Sequence, residues 1–144
     1  MKKIIILIIS IVLVVVTIIS YNIYVYNNNS KKAMEKNKVY EQFYNVEVLG
    51  TDIASLINKV DDSNNKKNVE KDEKGLFINN NNNSISIEVK FLELDEPISS
   101  EKIEEQGITR FIQNFGAVEF KCTKIEYHKQ TKYVKYMYFE QVEN

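Results

Sequence analysis

Residues Val48–Val60 read VLGTDIASLINKV, and the fold turns on whether they continue a long helix or begin a new one. Across and around them, Val39, Phe43, Val46, Gly50, Ile53, Ile57 and Val60 recur at alternating steps of four and three. That is the spacing of one helix face. Leu49 and Leu56 widen the stripe, while Glu41, Glu47, Asp52 and Lys59 fall outside it. Phe43, Val46, Gly50, Ile53 and Ile57 are therefore the candidate helix-packing or interaction residues. Gly50 has two main readings. On a buried seam it admits another backbone, although it costs the helix ~1 kcal/mol relative to Ala. Alternatively the chain bends there, and Thr51 and Asp52 cap a fresh helix. A phosphate- or metal-binding turn is the outsider, because no nucleotide-loop glycine fingerprint occurs in the chain.

Upstream, Lys2-Lys3 precedes Ile4–Tyr26, a stretch without a single charge. As a helix it would span about 34 Å, enough for a hydrocarbon core of ~30 Å. Tyr21, Tyr24 and Tyr26 gather at its far end, where amphipathic rings suit the headgroup zone. Many residues here are β-branched, but in lipid the backbone must satisfy its own hydrogen bonds, which forces a helix. Residues 1–26 are expected to be an uncleaved transmembrane signal anchor. A cleaved signal peptide would need small residues three and one positions before the cut. Ser20 suits the second role and Ile18 does not suit the first, and no cysteine follows for lipid attachment.

Lysines flank both ends of this segment: Lys2 and Lys3 face Lys31, Lys32, Lys36 and Lys38, partly offset by Glu35. Long domains translocate largely regardless of such charges. The expectation is a single-pass protein of the cell membrane, with a cytoplasmic N-terminus and the remainder outside. Residues 27–32 read as a polar joint and 33–144 as one small extracytoplasmic domain.

The 144 residues carry 19 Lys and Arg against 20 Asp and Glu, so no global charge bias points to nucleic acid. Arg110 is the one arginine, and asparagine recurs in runs such as Asn79–Asn83. Excess Lys, Asn and Ile is the mark of an AT-rich genome. A single cysteine, Cys122, excludes an intramolecular disulfide and a thiolate zinc cluster. It reads as a small hydrophobe on a strand face or as a partner in an intermolecular disulfide.

Beyond Val60, residues 61–75 read as a charged loop. As an EF-hand it would place Lys66 where Gly is required and Asp72 where a bidentate Glu is required, so the match fails. Leu76–Ile78, five asparagines, and the alternation Ile85, Ile87, Val89, Phe91 read as a hairpin. Pro97 and Ser99-Ser100 open an inserted helix, favoured by Glu101, Glu104 and Glu105 near its positive end. Its apolar face is Ile108, Phe111, Ile112 and Phe115, and Gly116 ends it. Gly107 splits it, with Thr109 capping the second part.

Val118, Phe120 and Cys122 alternate, and then the apolar phase slips to Ile125 and Tyr127, which predicts a bulge near Thr123-Lys124. Lys129–Lys132 is a turn, and Tyr133–Val142 is a closing strand with apolar residues on both faces. Such a strand is either central or covered by the long helix. The expected fold is α+β: a transmembrane helix continues into a long amphipathic helix. That helix packs on an antiparallel sheet of about four strands with one inserted helix.

Candidate chemistry is sparse. His128 is the one histidine, and pairing it with Cys122, six residues away, would still require an orienting acid. A turn histidine is the simpler reading, so no catalytic, cofactor or metal site is expected. Lys121, Lys124, His128, Lys129, Lys132 and Lys135 interleave with Tyr127, Tyr133 and Tyr136. Such mixtures bind nucleic acid or anionic surfaces; the same alternation makes a solvated face that guards a sheet edge.

Gly50–Lys59, Asn83-Ser84-Ile85 leading into a strand, and Phe120–His128 together resemble a group of short membrane-anchored proteins of low-GC Gram-positive bacteria such as clostridia. The resemblance covers nearly the whole chain and implies a location rather than a chemistry. The layout is also similar to type IV pilins and pseudopilins, although their Gly cleavage site and the Glu five residues beyond it are missing here. The anchor, the heptad stripe and the absent catalytic set lead to the expectation of a non-enzymatic structural or interaction role, as a pilin-like or secretion-associated component, with lipid bilayer and membrane or cell-envelope proteins as partners. A membrane-tethered sensor or ligand-binding module is the alternative.

Overall fold

The structure is a computed structural model that describes residues 2–143. In chain order the elements are α1 (Lys2–Glu41), β1 (Glu47–Leu49), α2 (Gly50–Lys66), β2 (Ser86–Lys90), β3 (Ile98–Ser99), α3 (Ser100–Gln106), α4 (Ile108–Phe115), β4 (Glu119–Tyr127) and β5 (Val134–Gln141). The class is α+β, as the pattern implies.

Helix α1 runs unbroken for 40 residues, a rod about 60 Å long at ~1.5 Å per residue. The polar joint 27–32 is helical too, because a run without Gly or Pro has nothing to interrupt the backbone ladder. Along Ile4–Tyr24 apolar side chains point outward on every side and are exposed, and only Val25 at the end of the run is half-buried. The helix is long and apolar enough to cross a membrane.

The expected continuous amphipathic helix is replaced by two helices. After Glu41 the turn tightens, with the N–H groups of Phe43 and Tyr44 donating to the carbonyls of Tyr40 and Glu41 at 3.1 and 3.0 Å. Asn45 adopts a left-handed φ of 59°, which Asn tolerates better than most residues. Its N–H donates to the Cys122 carbonyl at 2.9 Å, and β1 follows alongside β4. A heptad step in the sequence alone does not distinguish one helix from two, and here the stripe residues Val39 and Val46 are exposed.

The candidate packing residues divide accordingly. Gly50, Ile53 and Ile57 are buried along α2, and Phe43 packs edge-on against Phe139 at 6.4 Å. Val46 is exposed, so the seam does not pass through it. The inward line of α1 is instead Ala33, Asn37 and Tyr40.

Both main readings of Gly50 hold together. The chain bends, and Asp52 caps the new helix by accepting from the Leu49 N–H at 3.1 Å. Close contact is also present: a Cβ on Gly50 would overlap the Phe115 carbonyl oxygen and stand 2.8 Å from its carbon. The Gly50 and Thr51 N–H groups donate to the carbonyls of Val118 and Gly116 at 2.9 and 3.2 Å, joining the start of α2 to the end of α4.

The sheet has five strands in the order β1-β4-β5-β2-β3, and β2 runs parallel to β5. It is therefore mixed, not a four-stranded antiparallel sheet. Leu76–Ile78 forms no hairpin with the strand after it; Phe77 makes only a lone bridge to Lys71. Asn80 instead gathers the asparagine run into a turn, its Oδ1 accepting from the N–H groups of Asn82, Asn83 and Ser84 at 2.8, 2.9 and 3.2 Å. This frees the strand to bury Ile87 and Val89 between β5 and β3. Asp61–Lys66, the first part of the expected charged loop, completes α2.

The expected bulge is present, between Cys122 and Lys124, and a second irregularity between Glu126 and Tyr127 compensates it. β5 is central, the first of the two expected alternatives, lying between β4 and β2. Its Met137 and Phe139 enter the core, while Tyr136 and Tyr138 stack on the opposite, solvated face at 6.5 Å. Helices cover one face of the sheet and solvent the other, a common arrangement for largely antiparallel sheets.

Three buried polar side chains fasten the strand starts. Asn37 Nδ2 donates to the Lys132 carbonyl at 2.8 Å, and its Oδ1 accepts from the Val134 N–H at 2.9 Å. Asn64 brackets Ile85 in the same way, at 2.8 and 2.9 Å. His128 is buried inside its turn with Nε2 2.7 Å from the Ser84 carbonyl. A carbonyl only accepts, so Nε2 carries the proton; Nδ1 has no partner among the described residues.

Two substitutions test this framework in the full chain. Gly50→Ala should lower domain stability by about 1–3 kcal/mol, the range for overpacking a tight contact, whereas an exposed helical site would gain from Ala. Urea unfolding in detergent reads the sign. Asn37→Ala should cost roughly 1–3 kcal/mol through unpaired buried backbone groups and speed amide exchange at Val134.

Candidate functional site

The distal end of the sheet, where β5 finishes at Gln141 and β4 begins at Glu119, carries a cleft of about 580 Å³. Its walls are α3, α4 and the loop between β2 and β3. Local sequence builds each wall. The Ser99 hydroxyl accepts from the Lys102 N–H at 3.4 Å and starts α3, as the Ser99-Ser100 pair implies. Gly107, with φ of 98°, breaks the helical pair, and its own carbonyl, not a Thr109 cap, accepts from the Arg110 and Phe111 N–H groups that open α4. The single inserted helix is thus two. Across the loop, Lys90 donates to the carbonyls of Leu94 and Asp95, and the Gln141 side chain accepts from the Leu92 N–H at 3.3 Å.

Phenylalanines make the floor. Phe91 lies 4.6 Å from Phe115 and 6.3 Å from Phe111 between ring centroids, and Phe120 backs them at 5.7 Å from Phe91. Edge and tilted contacts of this kind stabilise by ~0.5–1.5 kcal/mol per pair beyond the area they bury. Ile98 and Ile103 complete the apolar lining. The rim is polar. Gln106, Arg110 and Asn114 follow at steps of four along one side, and Glu93 and Gln141 close the other. Arg110, the one arginine, is exposed and makes no ion pair among the described residues. An unpaired guanidinium above an aromatic floor suits an apolar group ending in a carboxylate, which Arg binds in bidentate fashion.

Helix α3 is tied to α2 through two carboxyl groups. Burial pushes the Glu104 carboxyl up to about 8, with further contributions from its hydrogen bond to Asp61 and from the charges of Asp61 and Glu101. Burial and the neighbouring carboxylates thus favour the protonated form of Glu104. The sequence placed Glu104 correctly near the start of a helix but gave no sign of the partner, which lies 43 residues earlier.

The other sequence candidates lie elsewhere. Gly50 supports the cleft from behind through Phe115, whereas Phe43, Val46, Ile53 and Ile57 do not line it. Cys122 is buried and its thiol is pushed up to about 11 by that burial. Six strand residues place it about 20 Å from His128 at ~3.3 Å per residue, so the structure does not bring the two together. The basic hairpin splits as well. Lys124 pairs with Glu126 at 2.6 Å beside Tyr136, while Lys132 sits over the ring of Tyr26 at 5.7 Å. The sequence signal for the cleft was Phe111 and Phe115 one helical turn apart, flanking the side that carries the lone arginine.

No protein-family model, no curated protein and no solved structure matches the chain.

The Glu104 proton makes stability depend on pH. The folded domain retains it up to about 8, whereas an ordinary carboxyl near 4.5 releases it. Stability is therefore lost as pH rises through that window. Thermal melts between these limits should show a falling midpoint, and Glu104→Gln should flatten the fall and raise the midpoint at the alkaline end.

Proposed function

We propose that the chain is a membrane-anchored, non-enzymatic recognition protein that presents its phenylalanine cleft to a partner on the extracytoplasmic side. Ile4–Tyr26 of α1 spans the cell membrane once, uncleaved, with Lys2 and Lys3 in the cytoplasm. The rest of α1 lifts the domain clear of the bilayer. The cleft accepts an apolar segment of a membrane or cell-envelope protein, with an acidic group meeting Arg110.

The observation that carries this reading is the position and chemistry of the cleft. Tyr26, at the end of the apolar run, lies against Lys132 in the turn that opens β5. Gln141, at the far end of β5, borders the cleft. The aromatic floor thus faces away from the membrane end, where a tethered protein meets its partners. A second reading, a sensor for a small amphipathic ligand, draws on the cleft volume of about 580 Å³, within the ~300–1,000 Å³ usual for small-molecule sites.

Two measurements test the proposal. Alkaline phosphatase fused after Asn144 should be active in intact cells; an inactive fusion with a fluorescent cytoplasmic counterpart would overturn the orientation. A photocrosslinking residue at Asn114 should give one discrete protein adduct in cells, lost in Arg110→Glu and absent when the probe sits at Lys59. Absence of any adduct at Asn114, together with a melting point raised by small amphipathic carboxylates, would select the small-ligand reading instead.

A further inference from the structure

A second groove, of about 440 Å³, separates the end of α1 from α2 near the start of β5. Lys36 stands on the α1 wall, Lys59 and Lys66 stand on the α2 wall, and Lys67 follows at the end of α2. Asp62 is the one acid in the lining. None of these four lysines is ion-paired among the described residues, where the pair found is Lys124–Glu126.

The ammonium groups of Lys36 and Lys67 meet at one ring, 5.8 and 5.1 Å from the centroid of Tyr133. Lys67 is half-buried and fixed twice by Asn83. Its Nζ donates to the Asn83 carbonyl at 3.2 Å, and its own carbonyl accepts from Asn83 Nδ2 at 3.2 Å. Two cations gathered without a counterion repel each other. Burial and the charge of Lys36 accordingly push the Lys67 ammonium below its ordinary range. A bound anion relieves that repulsion.

The lining selects the kind of anion. A planar carboxylate is matched best by the fork of a guanidinium, and no arginine lines the groove. Ammonium groups act as point charges and suit phosphate. A phosphate monoester carries about −1.5 to −2 charge at pH 7, which balances both lysines with one group. The wall is not all polar. Val39 is exposed, and the ring of Tyr133 is half-buried, so both offer apolar surface beside the lysines. Free phosphate would leave that surface uncovered, whereas an ester with an apolar body covers it.

We propose that this groove binds a phosphate monoester with an apolar or aromatic body, its phosphate between Lys36 and Lys67 and its body against Val39 and Tyr133. The groove shares no lining residue with the phenylalanine cleft, so the proposal is independent of the recognition reading.

The test uses the full chain in phosphatidylcholine nanodiscs, with phenyl phosphate as the ligand, and reads acetylation of individual lysines by mass spectrometry. Saturating phenyl phosphate should slow labelling of Lys36 and Lys67 by about tenfold, the effect of one charge-assisted hydrogen bond at each, while Lys102 on α3 stays unchanged. Calorimetric titration should show phenyl phosphate binding roughly tenfold more tightly than inorganic phosphate, through burial of the ring. Lys36→Gln alters an exposed side chain and should weaken phenyl phosphate about tenfold at an unaltered melting point. Equal labelling with and without the ester would overturn the proposal, as would full affinity in Lys36→Gln. Benzenesulfonate, a singly charged ligand of similar shape, binding as tightly would overturn the choice of phosphate, and inorganic phosphate binding as tightly would overturn the apolar body. Protection given only by phosphatidylglycerol added to the discs would also overturn it, by making the groove a contact for the bilayer.

Discussion

The carboxamide of Asn37 joins the two halves of the molecule. It sits on the last turns of a 40-residue helix and completes the backbone hydrogen bonding at the start of the central strand, to Lys132 and Val134. Without it, a buried carbonyl and a buried N–H would face an apolar surface, at a cost of several kcal/mol in the worst case. With it, the long helix and the sheet share one register. The turn that ends at Lys132 is then fixed level with Asn37, and the Lys132 side chain reaches back along α1 to the ring of Tyr26. Asn64 and His128 repeat the device for the strand alongside, so both parallel neighbours begin on side-chain hydrogen bonds at the same end of the sheet.

At the other end, close packing replaces polar fastening. Gly50 lets the start of α2 touch the backbone at Phe115, and nothing larger than hydrogen fits between them. That contact sets how far α4 stands from the sheet. The spacing between α4 and the strand end determines whether Phe91, Phe111 and Phe115 close into a filled core or leave an open cleft. The two ends therefore differ in chemistry as well as in position: lysines and asparagines gather by the last turns of α1, and aromatic rings with one arginine gather at the far side. With α1 as the proposed anchor, the apolar cleft lies at the end of the sheet away from that helix, which links the proposed anchor and recognition surface.

Local features were legible where a short-range rule governs them. The slip from Cys122 to Ile125 announced the bulge, Ser99 announced a helix start, and Gly107 announced a break. Apolar residues on both faces of the last strand announced its central place. Readings failed where two local patterns were equally satisfied. The steps from Val39 to Val60 fit one helix, yet the left-handed turn at Asn45 divides them and leaves Val39 and Val46 of that stripe exposed. Leu76–Ile78 had the look of a strand, but a hairpin there would have taken β2 from the better-buried position next to β5. The asparagines read as genomic bias hid Asn37 and Asn64, because nothing local marks which amide will meet a strand start.

What the sequence determined by itself is set by covalent order and side-chain polarity: an uncharged helix long enough to cross a membrane, an α+β domain after it, and the identities of the core strands. These follow from periodicity and from the solvent each run prefers, which need no knowledge of distant partners. Tertiary structure alone decided the parallel pairing of β2 with β5, the approach of Glu104 to Asp61, the placing of Lys36 and Lys67 on Tyr133, and the open floor beneath Arg110. Each of these depends on groups far apart in the chain arriving within a few ångströms. Packing geometry brings them together, and no pattern along the chain encodes that distance.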